Sequence, residues 1–126
     1  MFASNKVLNL DGVGLGMFLL PYQEDALNYL YDVGEANSRQ AWGYVNRYGA
    51  PDPKSRASVI NYLQAMAEEG LIAFREQSGK GGYHKVYCPS LGYPTLGALG
   101  REMVERLLDK VSREFSVIIE TKWRES

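Results

Sequence analysis

The 126-residue sequence predicts an α+β domain that is mainly helical. Between positions 21 and 70, apolar residues recur at helical spacing in three segments that turn residues separate. Two strand-like runs then flank a glycine-rich turn within 71–88, and a last apolar pattern of helical period begins at 94. The predicted order is therefore three short helices, a β-hairpin and one long helix.

The composition is that of an ordinary globular chain, and it excludes several kinds of site. Hydrophobic residues make up 45% of the sequence and charged residues 23%, which is typical of a protein with a packed core. A single cysteine, Cys88, and a single histidine, His84, leave no disulfide framework and no zinc site built on several thiolates. No apolar run approaches the roughly 20 residues that span a bilayer, and the start of the chain does not resemble a signal peptide. We therefore expect no cofactor, no metal, no membrane association and a cytoplasmic location.

Residues 1–20 and the first helix form the N-terminal part of the chain. Glycines at 12, 14 and 16 interrupt the apolar pattern of residues 1–20, which predicts an irregular arm or a short strand pair without an assigned role. Pro21 suits the first turn of a helix, and Gly34 suits its end. The buried stripe of this helix is expected to consist of Ala26, Leu27, Leu30 and Tyr31.

A short β-bridge at 35–37 and a second helix follow. Asn37 is expected to cap this helix, and Gln40, three residues later, completes a capping box. The buried side of the helix is expected to consist of Ala41, Trp42, Val45 and Tyr48. Residues 49–53 include two prolines and a glycine, so they predict a turn.

The third helix, at 55–71, indicates function more than any other segment. Ser55 suits its N-cap, Gly70 suits its C-terminal stop, and its apolar stripe is formed by Val59, Leu63 and Met66. The opposite face of its first two turns consists of small or hydrogen-bonding residues, none of them acidic: Arg56, Ala57, Ser58, Asn61 and Tyr62. Reading the DNA major groove requires such a face, whereas the ordinary alternative is the solvated side of an amphipathic helix.

Positive charge is concentrated around this helix and in the hairpin, although the net charge of the chain is −1. Residues 38–56 hold four cations and one acid, and residues 71–90 hold three cations and one acid. Lys80 lies in the glycine-rich tip, and His84 and Lys85 lie on the second strand. A local basic surface favours an acidic partner such as nucleic acid, whereas the net acidity keeps a protein partner open.

The last helix, which Pro94 and Thr95 open, carries two apolar stripes. The first stripe is Leu96, Leu99, Met103 and Leu107, and the second, at coiled-coil spacing, is Val104, Leu108, Val111, Phe115 and Ile118. We expect the first stripe to pack on the domain and the second to form a homodimer; the alternative is a monomer that buries both stripes against residues 1–20. The chain then divides into an N-terminal arm (1–20), a DNA-binding domain (21–90) and a C-terminal dimerisation helix (91–126).

This order of elements is that of a winged helix-turn-helix, in which helix 55–69 lies in the major groove and the hairpin 71–88, the wing, lies on the DNA backbone. Arg56 and Asn61 are the expected base readers, because their side chains pair with guanine and adenine in bidentate fashion. The other contacts with double-stranded DNA are expected at Arg39, Lys54, Ser55, Ala57, Ser58, Tyr62, Lys80, His84 and Lys85. Partial burial is the alternative for Tyr62, and a solvated strand position is the alternative for His84.

Three segments resemble the penicillinase-repressor (BlaI/MecI) family of winged helix-turn-helix transcriptional regulators: GEANSRQAWGYV, SRASVINYLQAMAEEGLI and KVYCP. The resemblance runs from Leu20 to Pro89, and MarR-like and PadR-like regulators share its hydrophobic skeleton. It implies a homodimeric repressor that binds an inverted-repeat operator and is held together by C-terminal helices. The Asn-Phe bond at which that family is cleaved has no counterpart here, because Glu114 precedes Phe115.

An enzyme is not expected. His84 and Cys88 lie about 13 Å apart along an extended strand, which is too far for a base and its nucleophile. A structural strand position is therefore expected for Cys88 rather than a redox switch. Two functions remain: a DNA-binding transcriptional regulator, and a winged-helix protein–protein interaction module without sequence-specific DNA binding.

Overall fold

The computed structural model describes residues 14–17, 19–79 and 81–123, with side chains as far as residue 116. Its elements are a 3₁₀ helix (Gly14–Met17) and the helices α1 (Pro21–Val33), α2 (Ser38–Val45), α3 (Arg56–Glu68) and α4 (Leu96–Trp123). Strands β1 (Ala36–Asn37), β2 (Ile72–Gly79) and β3 (Gly82–Pro89) form an antiparallel sheet in the order β1-β3-β2. This part of the chain is therefore α+β and mostly helical, as predicted. The prediction for residues 1–20, an irregular arm or a short strand pair, falls largely on residues 1–13 and 18, which lie outside the described residues.

Local capping fixes the starts of the second and third helices where the sequence predicts them. The Asn37 side chain accepts the Gln40 N–H at 2.8 Å, and the Gln40 side chain accepts the Asn37 N–H at 2.9 Å, which confirms the capping box. The Ser55 hydroxyl accepts the Ser58 N–H at 3.2 Å and caps α3. Each cap satisfies donors that the first helical turn leaves unpaired.

Helix α2 ends at Val45, earlier than predicted, and Tyr48 lies beyond it on the surface. The prediction that Tyr48 is buried is wrong, because the chain has left the helix before that position. Arg47 joins this end of α2 to α1: its Nη1 lies 2.6 Å from Asp25 Oδ2, and its Nη2 lies 3.2 Å from Oδ1. The guanidinium also lies 3.9 Å from the centroid of the Tyr44 ring.

The hairpin is longer and its turn is tighter than predicted. Gly79 pairs with Gly82, so residues 80 and 81 alone connect the strands. Gly81 in the turn and Gly82, the first residue of β3, have φ angles of 93° and 105°, in the left-handed region that glycine adopts without strain. Strand β1 pairs with β3 through Ala36 and Tyr87, which ties the hairpin to the start of α2.

One hydrophobic core joins the helices and the base of the sheet. Its members from the helices are Tyr22, Ala26, Leu27, Leu30, Ala41, Val45, Val59, Tyr62, Leu63, Met66, Leu99 and Met103, all of them buried. The first stripe of α4 therefore packs on the same core as α1, α2 and α3, as predicted. In the part of the chain that the structure describes, no helix is long and apolar enough to cross a membrane.

Candidate nucleic-acid interface

The first two turns of α3 present the polar face that the sequence predicts. Arg56, Ala57 and Asn61 are exposed, and Ser58 is half-buried. Ser55 stays exposed while it caps the helix, and its hydroxyl also lies 3.0 Å from the Ser58 hydroxyl. These four side chains, Arg56, Ala57, Ser58 and Asn61, form one polar patch at the start of α3, which we call the reading face after its predicted role.

Trp42 of α2 and Asn46, the C-cap residue of α2, hold the start of α3 in place. Trp42 Nε1 donates to the Lys54 carbonyl oxygen at 3.2 Å, and Asn46 Nδ2 donates to the same oxygen at 2.7 Å. These bonds fix the backbone immediately before Ser55, so α2 sets where the reading face begins. The sequence analysis did not identify this role of Asn46. The one feature of the sequence that indicates a shared role is the spacing of four residues between Trp42 and Asn46, which places both side chains on the same side of the helical turn.

Lys54 is predicted to contact a phosphate, and it is partly neutralised within the protein. Its Nζ lies 3.4 Å from Asp52 Oδ1, while Asp52 Oδ2 accepts the N–H of Tyr22 at 3.2 Å. Asp52 thus satisfies a donor in the first turn of α1, where a negative charge interacts favourably with the helix dipole. The Lys54 side chain remains partly exposed. The backbone carbonyl oxygen of Lys54 is the one that accepts the hydrogen bonds from Trp42 and Asn46.

In the described part of the chain, the cations that lack an ion-pair partner all lie at the predicted interface. Among cations whose side chains the structure describes, Arg39, Arg56 and Lys85 have no carboxylate oxygen within 4.0 Å. The other cations in this group are all paired: Arg47, Lys54, Arg75, Arg101, Arg106, Lys110 and Arg113. The unpaired charges lie in the first turn of α2, in the first turn of α3 and on β3, so the basic surface that the sequence predicts is not cancelled by local acids.

Tyr62 does not belong to the reading face, which corrects the sequence-based assignment. Its side chain is 2% exposed and packs edge-on against Tyr22, with ring centroids 6.1 Å apart. Position 62 lies three residues after Val59 and four before Met66, so it falls on the buried side of the helix. Its hydroxyl has no hydrogen-bond partner among the described residues, and burial raises the pKa of Tyr62 well above its usual value.

Tyr62→Phe is therefore expected to raise the free energy of unfolding by about 1 kcal/mol, because it removes a buried hydroxyl that makes no bond. Urea denaturation measures the change. The matched control is Tyr31→Phe, which should lower the free energy of unfolding by about 1 kcal/mol. Tyr31 donates its hydroxyl to the Tyr93 carbonyl at 2.7 Å, and burial raises its pKa to about 12. A loss of stability in Tyr62→Phe would show that this hydroxyl has a partner.

The wing adds the exposed aromatic side chains of Phe74 and Tyr83 and the half-buried basic side chain of Lys85. Tyr83, Lys85 and Tyr87 alternate along one face of β3, and Phe74 lies opposite Tyr87, which is buried in the core. Phe74 is 45% exposed and Tyr83 is 80% exposed, and Lys85 Nζ lies 4.7 Å from the centroid of the Phe74 ring. Sequence reasoning did not select Phe74, because an apolar residue in a strand indicates a core position in the absence of other information.

The wing also contains His84, Cys88 and Lys80. His84 is exposed, the Cys88 thiol is half-buried and free, and Lys80 lies outside the described residues. Among the residues that the structure describes, no three His, Cys, Asp or Glu side chains are placed to hold a metal ion. The described part of the wing thus combines the basic side chain of Lys85 with the aromatic side chains of Phe74 and Tyr83.

The second stripe of α4 is exposed, and it forms a surface that we call the α4 seam: Val104, Leu108, Val111 and Phe115. Leu108 is 61% exposed and Phe115 is 60% exposed, and the side chain of Ile118, predicted to extend the seam, lies outside the described residues. Ion pairs four residues apart neutralise the charged flanks: Arg101–Glu105, Glu102–Arg106, Asp109–Arg113 and Lys110–Glu114.

Helix α4 is also bonded to the end of the reading helix. Arg106 Nη1 donates to the carbonyl oxygen of Glu69, the C-cap residue of α3, at 2.7 Å. A cation at this position satisfies a terminal carbonyl and interacts favourably with the negative end of the helix dipole. The position of the α4 seam is thereby coupled to that of the reading face.

The chain matches no protein-family model, no curated protein and no solved structure.

Proposed function

We propose that this chain is a winged helix-turn-helix DNA-binding transcriptional regulator that acts as a homodimeric repressor of the penicillinase-repressor type. The observation that carries the proposal is the placement of Arg39, Arg56 and Lys85, the cations without an ion-pair partner among the described residues. They lie on the elements that a winged helix presents to DNA. Elsewhere in the described chain, cations are matched with carboxylates, so a net charge of −1 is compatible with a locally basic surface.

In this proposal the first two turns of α3 lie in the major groove. Arg56 and Asn61 contact base edges there, and the small side chains of Ala57 and Ser58 allow the helix to approach closely. Arg39, Lys54, Ser55 and the wing residues Lys80, His84 and Lys85 contact the phosphate backbone and set the register of the helix on the duplex. Trp42 and Asn46 support the start of α3 from behind, which keeps the reading face in a fixed orientation.

A second copy of the chain is the proposed occupant of the α4 seam. Four large apolar side chains repeat over about 17 Å of helix and face solvent in the single chain. The flanking charges are already paired within each helix, so two identical helices approach without net repulsion. Two-fold symmetry would then present two reading helices to the two halves of an inverted-repeat operator.

The test is duplex binding as a function of salt. A selection for tightly bound fragments from a random duplex pool supplies the operator, and its affinity is measured from low to high salt. With four phosphate-contacting cations per subunit, Arg39, Lys54, Lys80 and Lys85, a dimer neutralises about eight phosphates. The logarithm of the binding constant should then fall with a slope of about −7 against the logarithm of salt concentration, or about 10⁴-fold between 50 and 200 mM. Absence of duplex binding even at low salt would refute the proposal.

A protein–protein interaction module is the second candidate, and the exposed aromatic groups of the wing favour it. Phe74 and Tyr83 give the hairpin an apolar surface that contact with phosphates does not require. A module of this kind would bind its partner with weak dependence on salt and would not bind duplex DNA, so the same titration separates the two functions.

A further inference from the structure

The contact between α4 and the rest of the domain ends at Arg106 and Leu107. These two side chains are half-buried, whereas every described side chain of α4 from Leu108 to Ser116 is exposed. The domain therefore holds the first part of α4, and the helix then projects beyond the domain with most of the α4 seam. The direction in which it projects is decided by the last contacts that it makes.

Arg106 joins this point of α4 to the end of α3. Its Nη1 donates to the Glu69 carbonyl oxygen at 2.7 Å, and its Nε donates to Glu102 Oε1, one turn earlier on α4, at 2.9 Å. Charge-assisted hydrogen bonds of a planar guanidinium are directional, so these two bonds fix the side chain between the two helices. Among the described residues, no other side chain of α4 donates a hydrogen bond to α3 or its C-cap.

The remaining contacts of α4 differ from this one in kind or in partner. Leu99 and Met103 lie in the shared core, where they make apolar contacts. Tyr93, just before the helix, accepts the Tyr31 hydroxyl of α1 at its carbonyl oxygen, at 2.7 Å. Apolar packing is not directional, so it does not by itself fix the angle between α4 and α3. Arg106 provides the directional contact between these two helices.

Arg106 and the α4 seam lie on opposite sides of α4. At about 100° per residue, Leu108 and Phe115 lie about 200° and 180° around the helix from Arg106. The Glu69 contact is therefore on one face of the helix, and the surface assigned to the second copy is on the other. In the proposed dimer, the two reading faces are connected through α3, Arg106 and α4 of one copy and the same elements of the other.

A small rotation at the Arg106–Glu69 contact corresponds to a whole base-pair step at the reading face. Arg56 begins the 13-residue helix α3 and lies about 20 Å from its C-cap residue, Glu69. A rotation of α3 by about 10° around this contact displaces Arg56 by about 3.4 Å, which is the rise of one base pair in B-DNA. The angle between α4 and α3 therefore decides which separation of half-sites both reading faces match.

We propose that Arg106 is a positioning residue that sets the half-site spacing of the operator, because it holds α4 at one angle to the reading helix. This inference rests on the proposed homodimeric DNA-binding function. The ordinary alternative is that Arg106 only caps the C-terminus of α3. As a cap alone, its loss would lower the stability of the helix and would weaken binding to every operator by the same factor.

The first test compares the selected operator with versions whose half-sites are moved together or apart by one base pair. The wild-type chain should bind the selected spacing at least about tenfold more tightly than either neighbour, because the shift breaks base contacts in one half-site. Arg106→Ala should reduce this preference to less than about threefold, while its affinity for a duplex with a single half-site stays within about twofold of wild type.

Arg113→Ala is the matched control, because Arg113 pairs with Asp109 in the exposed part of α4. It removes the same side chain and one ion pair of α4, and it should keep the wild-type spacing preference. Circular dichroism checks that both variants keep their helices. Glu102→Ala, which removes the carboxylate that orients Arg106, should change the preference in the same direction as Arg106→Ala and replaces it if that variant does not fold.

The second test measures the angle between the two helices without DNA. Spin labels at Ala57→Cys and Ser116→Cys, in a Cys88→Ser background, report the distance between the reading face and the projecting part of α4. Dilution with unlabelled chain restricts the signal to pairs within one chain. The distance distribution should be narrow without further substitution and at least about twofold broader with Arg106→Ala, because the helices then sample several angles.

An unchanged distance distribution in Arg106→Ala would overturn the inference, whether or not the chain binds DNA. If the wild type binds its operator and Arg106→Ala keeps the same spacing preference, the inference is also overturned, and Arg106 is a helix cap only. If the distribution broadens in a chain that binds no duplex, the proposed function fails, whereas the role of Arg106 in fixing α4 on α3 stands.

Discussion

Leu108→Glu is expected to convert the proposed dimer into a monomer and to lower the affinity for the proposed inverted-repeat operator by at least about 100-fold. Leu108 lies in the middle of the α4 seam and is 61% exposed in the single chain, so the substitution does not disturb the core. In the dimer it would place two carboxylates in an apolar contact that excludes water. A monomer binds only one half-site. Losing the second, linked binding event typically lowers the overall affinity by a factor of about 10² to 10⁴.

Sedimentation at micromolar concentration measures the assembly, and circular dichroism checks that the helices are retained. Ser116→Glu is the matched control, because Ser116 is exposed on another side of α4 and gains the same charge outside the seam. This control should remain a dimer and keep its affinity for the operator. A wild-type chain that sediments as a monomer, or a Leu108→Glu variant that stays dimeric, would contradict the assignment of the α4 seam.

Features that depend on a few neighbouring residues could be predicted from the sequence. The Asn37–Gln40 capping box and the Ser55 cap require only spacing and the right side chains, and both are present. The two stripes of α4 follow from periodicity, which also correctly indicated that the first stripe packs on the domain. Local chemistry decides these features, so tertiary structure does not override them.

Features that depend on distant segments could not be predicted. The Asn46 bond to the Lys54 carbonyl joins the C-cap of α2 to the residue before the N-cap of α3, and the Arg106 bond to the Glu69 carbonyl joins α4 to the C-cap of α3. No local pattern encodes either bond. Tyr62 was placed on the wrong side of α3 because a tyrosine suits both a polar face and the edge of an apolar stripe. The packing of α1 against α3 decides how much of the helix surface between Val59 and Met66 is buried.

The pairing of charges is the part of the candidate interface that only three-dimensional structure provides. The sequence gives clusters of cations, but it does not show that Arg47 is held by Asp25 while Arg39 and Arg56 are unpaired. Counting charges along the chain therefore overestimates the basic surface near α2, where Arg47 joins two helices of the scaffold. The same distinction identifies which cations to substitute in a test of DNA binding.

Asn61→Ala is expected to weaken binding to the selected operator by about 1 to 3 kcal/mol, or roughly 5- to 150-fold, and to leave binding to random duplex almost unchanged. Asn61 is uncharged and exposed, and it is neither a cap nor part of the core, so its loss affects base reading without changing the phosphate contacts. Arg56→Ala should also lose sequence preference, with an added loss on random duplex because a cation is removed. Competition binding with operator and random duplexes measures both effects.

Lys85→Ala is the contrasting variant, because Lys85 is an unpaired cation on the wing and is expected to contact phosphate rather than bases. It should weaken binding to operator and random duplex alike and make the salt slope of the dimer shallower by about 2, one unit for each subunit. The ratio of the two affinities should stay at the wild-type value. If Asn61→Ala and Lys85→Ala both lowered the two affinities by the same factor, Asn61 would not be a base reader. The first two turns of α3 would then contribute to binding only through their position against the backbone.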